Sequence, residues 1–158
     1  MAEYAIIRTS ILGSASAPVR KGSCTRTLKM AEGDSLFQLA EAIISAYDFE
    51  LDHAFGFYDN LEDHYESTSV HTSFADFIDG NDPDHGKSVE KTSIGEVFSA
   101  GVERLFLFDY GDDWFFHLRC SEAGVKGKPR QMPELIASKG TAPEQYPDDD
   151  EEEEEDDA

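Results

Sequence analysis

The chain has 158 residues, 39% of them hydrophobic and 11% aromatic, which gives one domain enough apolar mass for a real core and makes general disorder untenable. Thirteen Lys and Arg face thirty-four Asp and Glu, a formal net charge of −21; ten of the acids fall in 148–157, so the rest still carries −11. An acid excess of this size disfavours nucleic acid as a direct ligand and anionic membrane surfaces as a support, because affinity for a polyanion comes largely from Lys and Arg neutralising phosphates.

The first residues, MAEYAIIRTSILGS, place an acid at Glu3 and no basic cluster before a long apolar run, so they do not read as a signal peptide. No apolar run approaches the length of a membrane span. Cys24 and Cys120 belong to no metal or redox motif. Together these features imply a cytoplasmic protein with reduced thiols and no cofactor.

In chain order, residues 3–12 are β-rich and apolar on both parities, as an interior strand requires. After a turn at Gly13 to Pro18, residues 19–30 alternate, with Cys24, Leu28 and Met30 on one face; Arg26 breaks that face, which suggests an edge position or a snorkelling side chain. Ser35 and Gln38 form a capping box for a helix running to about Asp48, whose stripe is Leu36, Leu39, Ala40, Ile43 and Tyr47. His53 to Asp59 reads as a short strand with Phe55 and Phe57 on one face. Asn60 to Lys91 is polar and poorly periodic, a long surface loop with a weak strand in 65–72 and a helical turn in 74–78.

Ser93 and Glu96 make a second capping box, and Gly101 supplies the stop of a short helix. Residues 104–110 are apolar on both parities and belong in the middle of a sheet. After a Gly111-Asp112-Asp113 turn, residues 114–121 point Trp114, Phe116, Leu118 and Cys120 inward and His117, Arg119 and Ser121 outward. QMPELIASKG fits one or two helical turns, TAPEQYPD an extended packed segment, and 148–158 a disordered acidic tail on a single domain of residues 1–147. The order of elements implies an α+β fold with a β-grasp-like mixed sheet of about five strands, in which the strand at 104–110 lies beside the first; a split βαβ arrangement is the alternative.

The candidate site is the turn. Asp109, Asp112, Asp113 and His117 would suit a divalent metal or an acid/base pair if the hairpin brought them together. The competing reading, which the residue types favour, is turn chemistry for the acids, cross-strand pairing of Asp109 with His117, and a core anchor for Trp114 rather than a ligand platform. His53 is a possible partner of His117. His64, His71 and His85 lie with Asp59, Asp63, Asp82 and Asp84 in the polar loop, at spacings of neither an EF-hand nor a zinc site.

Three stretches carry a resemblance: SLFQLAEAIISAYDF followed by HAFGFY, LFLFDYGDDWFFHL, and KGTAPEQYPD. On these the chain resembles the plasmid pRiA4b ORF-3-like family, also labelled a transposon passenger family, over roughly residues 3–147. The resemblance implies a compact α+β domain and marks the DYGDDW turn, but brings no activity with it, since the members are mostly uncharacterised. A resolvase label has circulated for some of them; this chain shows no nucleophile set among arginines to match it. It also departs from the family in its second strand, where KGSCTRT is small and polar.

The function that follows is a binding or interaction module acting through a protein partner, rather than an enzyme. A metal-dependent hydrolase or nuclease built on the turn acids is the alternative, and nucleic-acid association through Lys126 to Arg130 a weaker third.

Overall fold

The computed structural model describes residues 2–76 and 86–146. They form β1 (Ala2–Gly13), β2 (Thr25–Ala31), α1 (Leu36–Ala46), β3 (Phe55–Tyr58), β4 (Val70–Thr72), β5 (Lys87–Ser88), α2 (Ile94–Val97), β6 (Glu103–Phe108), β7 (Trp114–Gly127) and β8 (Glu134–Lys139). The strands make one sheet in the order β5-β4-β3-β6-β7-β1-β2-β8. Every pairing is antiparallel except that of the short β4 and β5. Among the described residues, no helix is long and apolar enough to cross a membrane.

The α+β character agrees with the sequence; the sheet does not match in size or in order. It has eight strands rather than about five, and β6 lies between β3 and β7, so β7 separates it from β1. The neighbour relation that suggested a β-grasp is therefore absent. Strand density on both parities indicated an interior position for β1 and β6 correctly, but two interior strands need not be adjacent. β8 is a second correction: Glu134–Lys139, expected as helical turns, pairs antiparallel with β2. Its register, from Thr25↔Lys139 to Lys29↔Glu134, uses the strand edge that β2 offers. The polar loop also holds more structure than expected, with β4, β5 and two 3₁₀ turns, at His64–Glu66 and Ser73–Asp76. Phe77 and Ile78, the end of the expected helical turn, and the acidic tail lie outside the described residues.

The two faces of the sheet differ. α1 covers one of them, and its capping box forms as its residues require: the Gln38 N–H donates to Ser35 Oγ, and the Ser35 N–H to Gln38 Oε1. Leu36, Leu39, Ala40, Ile43 and Ile44 are buried against inward-facing Ile7, Ile11, Leu28, Phe106, Phe116 and Leu118. Each such aliphatic or aromatic side chain contributes about 1.5–3 kcal/mol when removed from water. Arg26, the residue that broke the apolar stripe of β2, is buried on this face and is not at an edge. Its guanidinium donates to the Ala46, Thr25 and Lys139 carbonyls and lies 5.0 Å from the Tyr47 ring centroid. It thus ties the carboxyl end of α1 to β2 and β8, where a cation also meets the negative end of the helix.

Among the described residues, the opposite face carries no α-helix. Tyr58, Leu105 and Leu107 form a smaller apolar cluster there, joined by Leu12, Leu61, Val70, Tyr110 and Phe115. Phe115, assigned outward with a covering segment expected, is capped by His64 of the first 3₁₀ turn at 5.5 Å between ring centroids. Farther along this face, Tyr4, Ile6 and Ser10 of β1 are buried, whereas Arg8 of β1 and Arg119 of β7 are exposed.

Gly140 closes β8 with φ +77°, and a Cβ there would press into the Ser23 carbonyl and the Cys24 backbone. Gly140→Ala should therefore destabilise the fold by about 2 kcal/mol, measured by urea unfolding, with the loss focused on β8 in amide exchange.

Candidate functional site

The turn that the sequence singled out is locked by its own hydrogen bonds. Asp109 is 4% exposed and sits at φ +67°, a left-handed conformation that Asp tolerates better than most residues. Its Oδ1 accepts the N–H groups of Gly111 (3.0 Å) and Asp112 (3.2 Å), its carbonyl accepts that of Asp113 (2.6 Å), and its own N–H donates to Ala54 O (2.9 Å). Asp113 is also left-handed, at φ +56°. Asp112 is exposed at the tip. The two bonds to Oδ1 are Asx-turn contacts, so this oxygen serves to hold the turn.

His117 does not join the turn acids. It lies opposite Leu105, three pairs along the β6–β7 ladder from the turn, with its Nε2 2.8 Å from Glu103 Oε1. The expected Asp109–His117 pairing is thus replaced by two separate ones, because the histidine that reaches Asp109 is His53: its Nδ1 is 3.5 Å from Asp109 Oδ2 and 2.7 Å from Asp52 Oδ1. Tyr146, from the packed closing segment, donates to Asp52 Oδ2 at 2.7 Å. The Asp52 carboxyl is held below its ordinary range although partial burial opposes this, because hydrogen bonds from Tyr146 and His53 together outweigh that cost. His53 is raised, first by the Asp52 hydrogen bond and, against slight desolvation, by the charges of Asp109, Asp52 and Asp112.

Trp114 is a core anchor, 2% exposed and edge-on to Phe49 at 4.9 Å. The loop acids act locally: Asp59 accepts both the N–H and hydroxyl of Thr68, and Asp63 caps Tyr65. His71 is buried and driven toward its neutral form, chiefly by desolvation. His85, Asp82 and Asp84 lie outside the described residues. Among the described residues, no three His, Cys, Asp or Glu side chains are placed to hold a metal ion. Cys24 and Cys120 are free thiols, both buried.

A different place has the character of a binding site. On the face opposite α1, a cavity of about 380 Å³ is floored by Arg8 and Ser10 of β1 and His117 and Arg119 of β7. Lys21, Gly22 and Thr25 wall it on the β2 side, and Glu103 on the β6 side. Strand register builds it. Arg8 stands directly opposite Arg119 in the β1–β7 ladder, and Ser10 opposite His117. Like charges directly opposite on one sheet face repel, at a cost of about 0.2–1 kcal/mol. Among the described residues, none of Arg8, Lys21 and Arg119 has a carboxylate within 4.0 Å.

The nearest acid, Glu103, is engaged by His117. That hydrogen bond leads in pulling its carboxyl below the ordinary range, against slight desolvation, and the charges of His117, Arg119 and Lys21 add to it. Since the carboxylate only accepts, Nε2 of His117 carries the proton. Ser10 Oγ accepts the Gly22 N–H at 2.8 Å, which leaves its own O–H free to donate. The cavity therefore presents two guanidinium groups, an ammonium and a hydroxyl, a donor set for an oxyanion. Sequence analysis marked His117 and put Arg119 outward, but Arg8 and Lys21 went unassigned; only the β1–β7 register, set across more than a hundred residues, makes them neighbours.

Two outcomes follow for the turn. Asp109→Ala should cost about 2 kcal/mol in urea unfolding, since it removes the shared acceptor and places a Cβ at positive φ without compensation, while Asp109→Asn should lose less than half of that. His53 has a raised folded-state pKa, so its contribution is full below its unfolded value of about 6.5 and is lost as pH rises through the folded value. Asp52 has a lowered one, so its contribution disappears only as pH falls through its own folded value. His53→Gln should accordingly lower the midpoint of thermal unfolding more at pH 5.5 than at pH 8.5.

No curated protein matches the sequence. Among solved structures, the chain is similar to a protein of unknown function, MM3350, from Methanosarcina mazei Go1, with a TM-score of 0.64 and 20% identity over 90% of this chain and 72% of that one. At that identity the likeness speaks for the fold. The family model described as plasmid pRiA4b ORF-3-like protein matches residues 19–150, taking in α1, the DYGDDW turn and the closing segment. The chain belongs to the plasmid pRiA4b ORF-3-like family.

Proposed function

We propose that the protein is a binding module whose ligand is a small anion held on the face of the sheet opposite α1. One observation carries this: Arg8 and Arg119 are set opposite each other beside Lys21, with no carboxylate between them, in a chain that has almost three acids for every base. The two facing guanidinium groups repel each other, and a bound anion would offset that repulsion. The protein's net charge of −21 repels polyanions at long range, so the site suits a compact ligand of one or two charges rather than a nucleic acid. The buried free thiols of Cys24 and Cys120 support placement in the cytoplasm, where thiols stay reduced.

Inorganic phosphate, titrated into ¹⁵N-labelled protein, should shift the amides of Arg8, Gly22, His117 and Arg119 in a saturable way. Arg119→Gln should abolish that response, with circular dichroism unchanged from the parent protein. An unshifted spectrum, or shifts unchanged in the Arg8→Gln/Arg119→Gln double variant, would overturn the reading.

A further inference from the structure

We infer that the groove between α1 and β8, on the other face of the sheet from the cationic cavity, docks an amphipathic helix of a protein partner whose polar flank carries lysine or arginine. Two cavities, of about 470 and 420 Å³, lie along this groove and share Ala42 and Ser45 of α1 and Pro133 of the β7–β8 connection. The floor is apolar: Met30 and Phe49 line the first cavity and Leu28 the second, and all three are buried core residues. The wall on the β8 side is apolar as well and stands in water, with Pro133 exposed and Leu135 48% exposed.

The wall on the α1 side has the opposite character. Asp34, Gln38, Glu41, Ser45 and Asp48 border the cavities and recur at intervals of four and three residues, which is one stripe of a helix. The acids in that stripe fall seven residues apart, or about 10 Å along the axis from one to the next. Asp34 accepts the Ala31 N–H through its Oδ2, while Glu41 and Asp48 are exposed. Among the described residues, none of the three has a Lys or Arg within 4.0 Å. An apolar floor beside acids at two-turn spacing complements a helix with apolar anchors at i, i+3 or i+4 and i+7 and a cation every second turn.

The rival occupant is an extended peptide added as a further strand to the outer edge of β8. The strand itself opposes this. Ala137 pairs with Thr27 and Leu135 with Leu28, so Ile136 is an extra residue in β8, and a bulge spoils an edge as a template for pairing. An occupant is therefore held by side chains in the groove rather than by backbone bonds. The acidic stripe also repels the anion assigned to the opposite face, so the two surfaces take ligands of opposite charge and do not compete.

The test uses three synthetic peptides of about 18 residues, long enough to sustain a helix. The first places leucines at i, i+3 or i+4 and i+7 with lysines on the flanks; the second scrambles that composition; the third replaces lysine by glutamate. Titrated into the ¹⁵N-labelled full chain, the first should saturably shift the amides of Ala42, Ser45 and Leu135 and bind about tenfold more tightly than the scrambled peptide. The glutamate peptide should shift nothing. Leu135→Ser and Glu41→Lys, both at exposed positions, should each weaken binding of the first peptide about fivefold with circular dichroism unchanged. Equal affinity for the scrambled peptide would show attraction to the acidic body alone and overturn the inference. So would shifts centred away from the groove, or binding that neither variant weakens.

Discussion

The fold depends on the β1–β7 ladder. Ten residue pairs, from Ala2↔Gly127 to Gly13↔Phe115, join the first strand to the seventh and put both strands in the interior of the sheet. Everything to one side of it, β2 and β8, is attached through β1; everything to the other, β6, β3, β4 and β5, is attached through β7. The inward residues of this pair supply Ile7, Ile11, Phe116 and Leu118 to the core under α1, while its outward residues supply the cationic row. One register therefore sets core packing and site geometry together, and a slip of one residue would move the arginines into the core.

Local patterns were readable because local chemistry produced them. The capping boxes at Ser35 and Ser93, the alternation of Trp114 through Cys120 and the apolar density of β6 are all found where their residues imply, whereas the short helix expected to stop at Gly101 already ends at Val97, with Phe98 as its cap. What sequence did not convey was adjacency. β6 and β1 share a composition, and composition says only that both faces of each are covered. β8 looked helical because Leu135 and Ile136 follow a proline without alternation, and as an edge strand with both side chains half exposed it has no buried face to enforce one. Arg26 looked like an edge residue for a similar reason: its burial depends on three carbonyls drawn from β2, α1 and β8.

The same distinction explains the fate of the turn. Asp109 is special in conformation and burial, and its conspicuous neighbours exist to hold a tight corner between two interior strands. Its residues are distinctive because a left-handed, self-bonded aspartate is hard to replace, and structural necessity can mark a motif as strongly as chemistry can. The cationic row has no motif at all. Arg8 is one charge in an apolar strand and Lys21 one in a loop; their meaning lies in a meeting that no short window contains.

That meeting has a consequence for when the site exists. Its floor joins Ser10 and Arg8 to residues more than a hundred positions later, with Lys21 brought in by the β1–β2 connection. Half of a nascent chain can form α1 and the β1–β2 hairpin, yet holds no paired arginines until β7 arrives and closes the sheet, a slow class of contact to make. Occupancy of the pocket is thus conditional on completion of the fold: a ligand there binds finished molecules and ignores partial ones, and by mass action it draws the population toward the finished state.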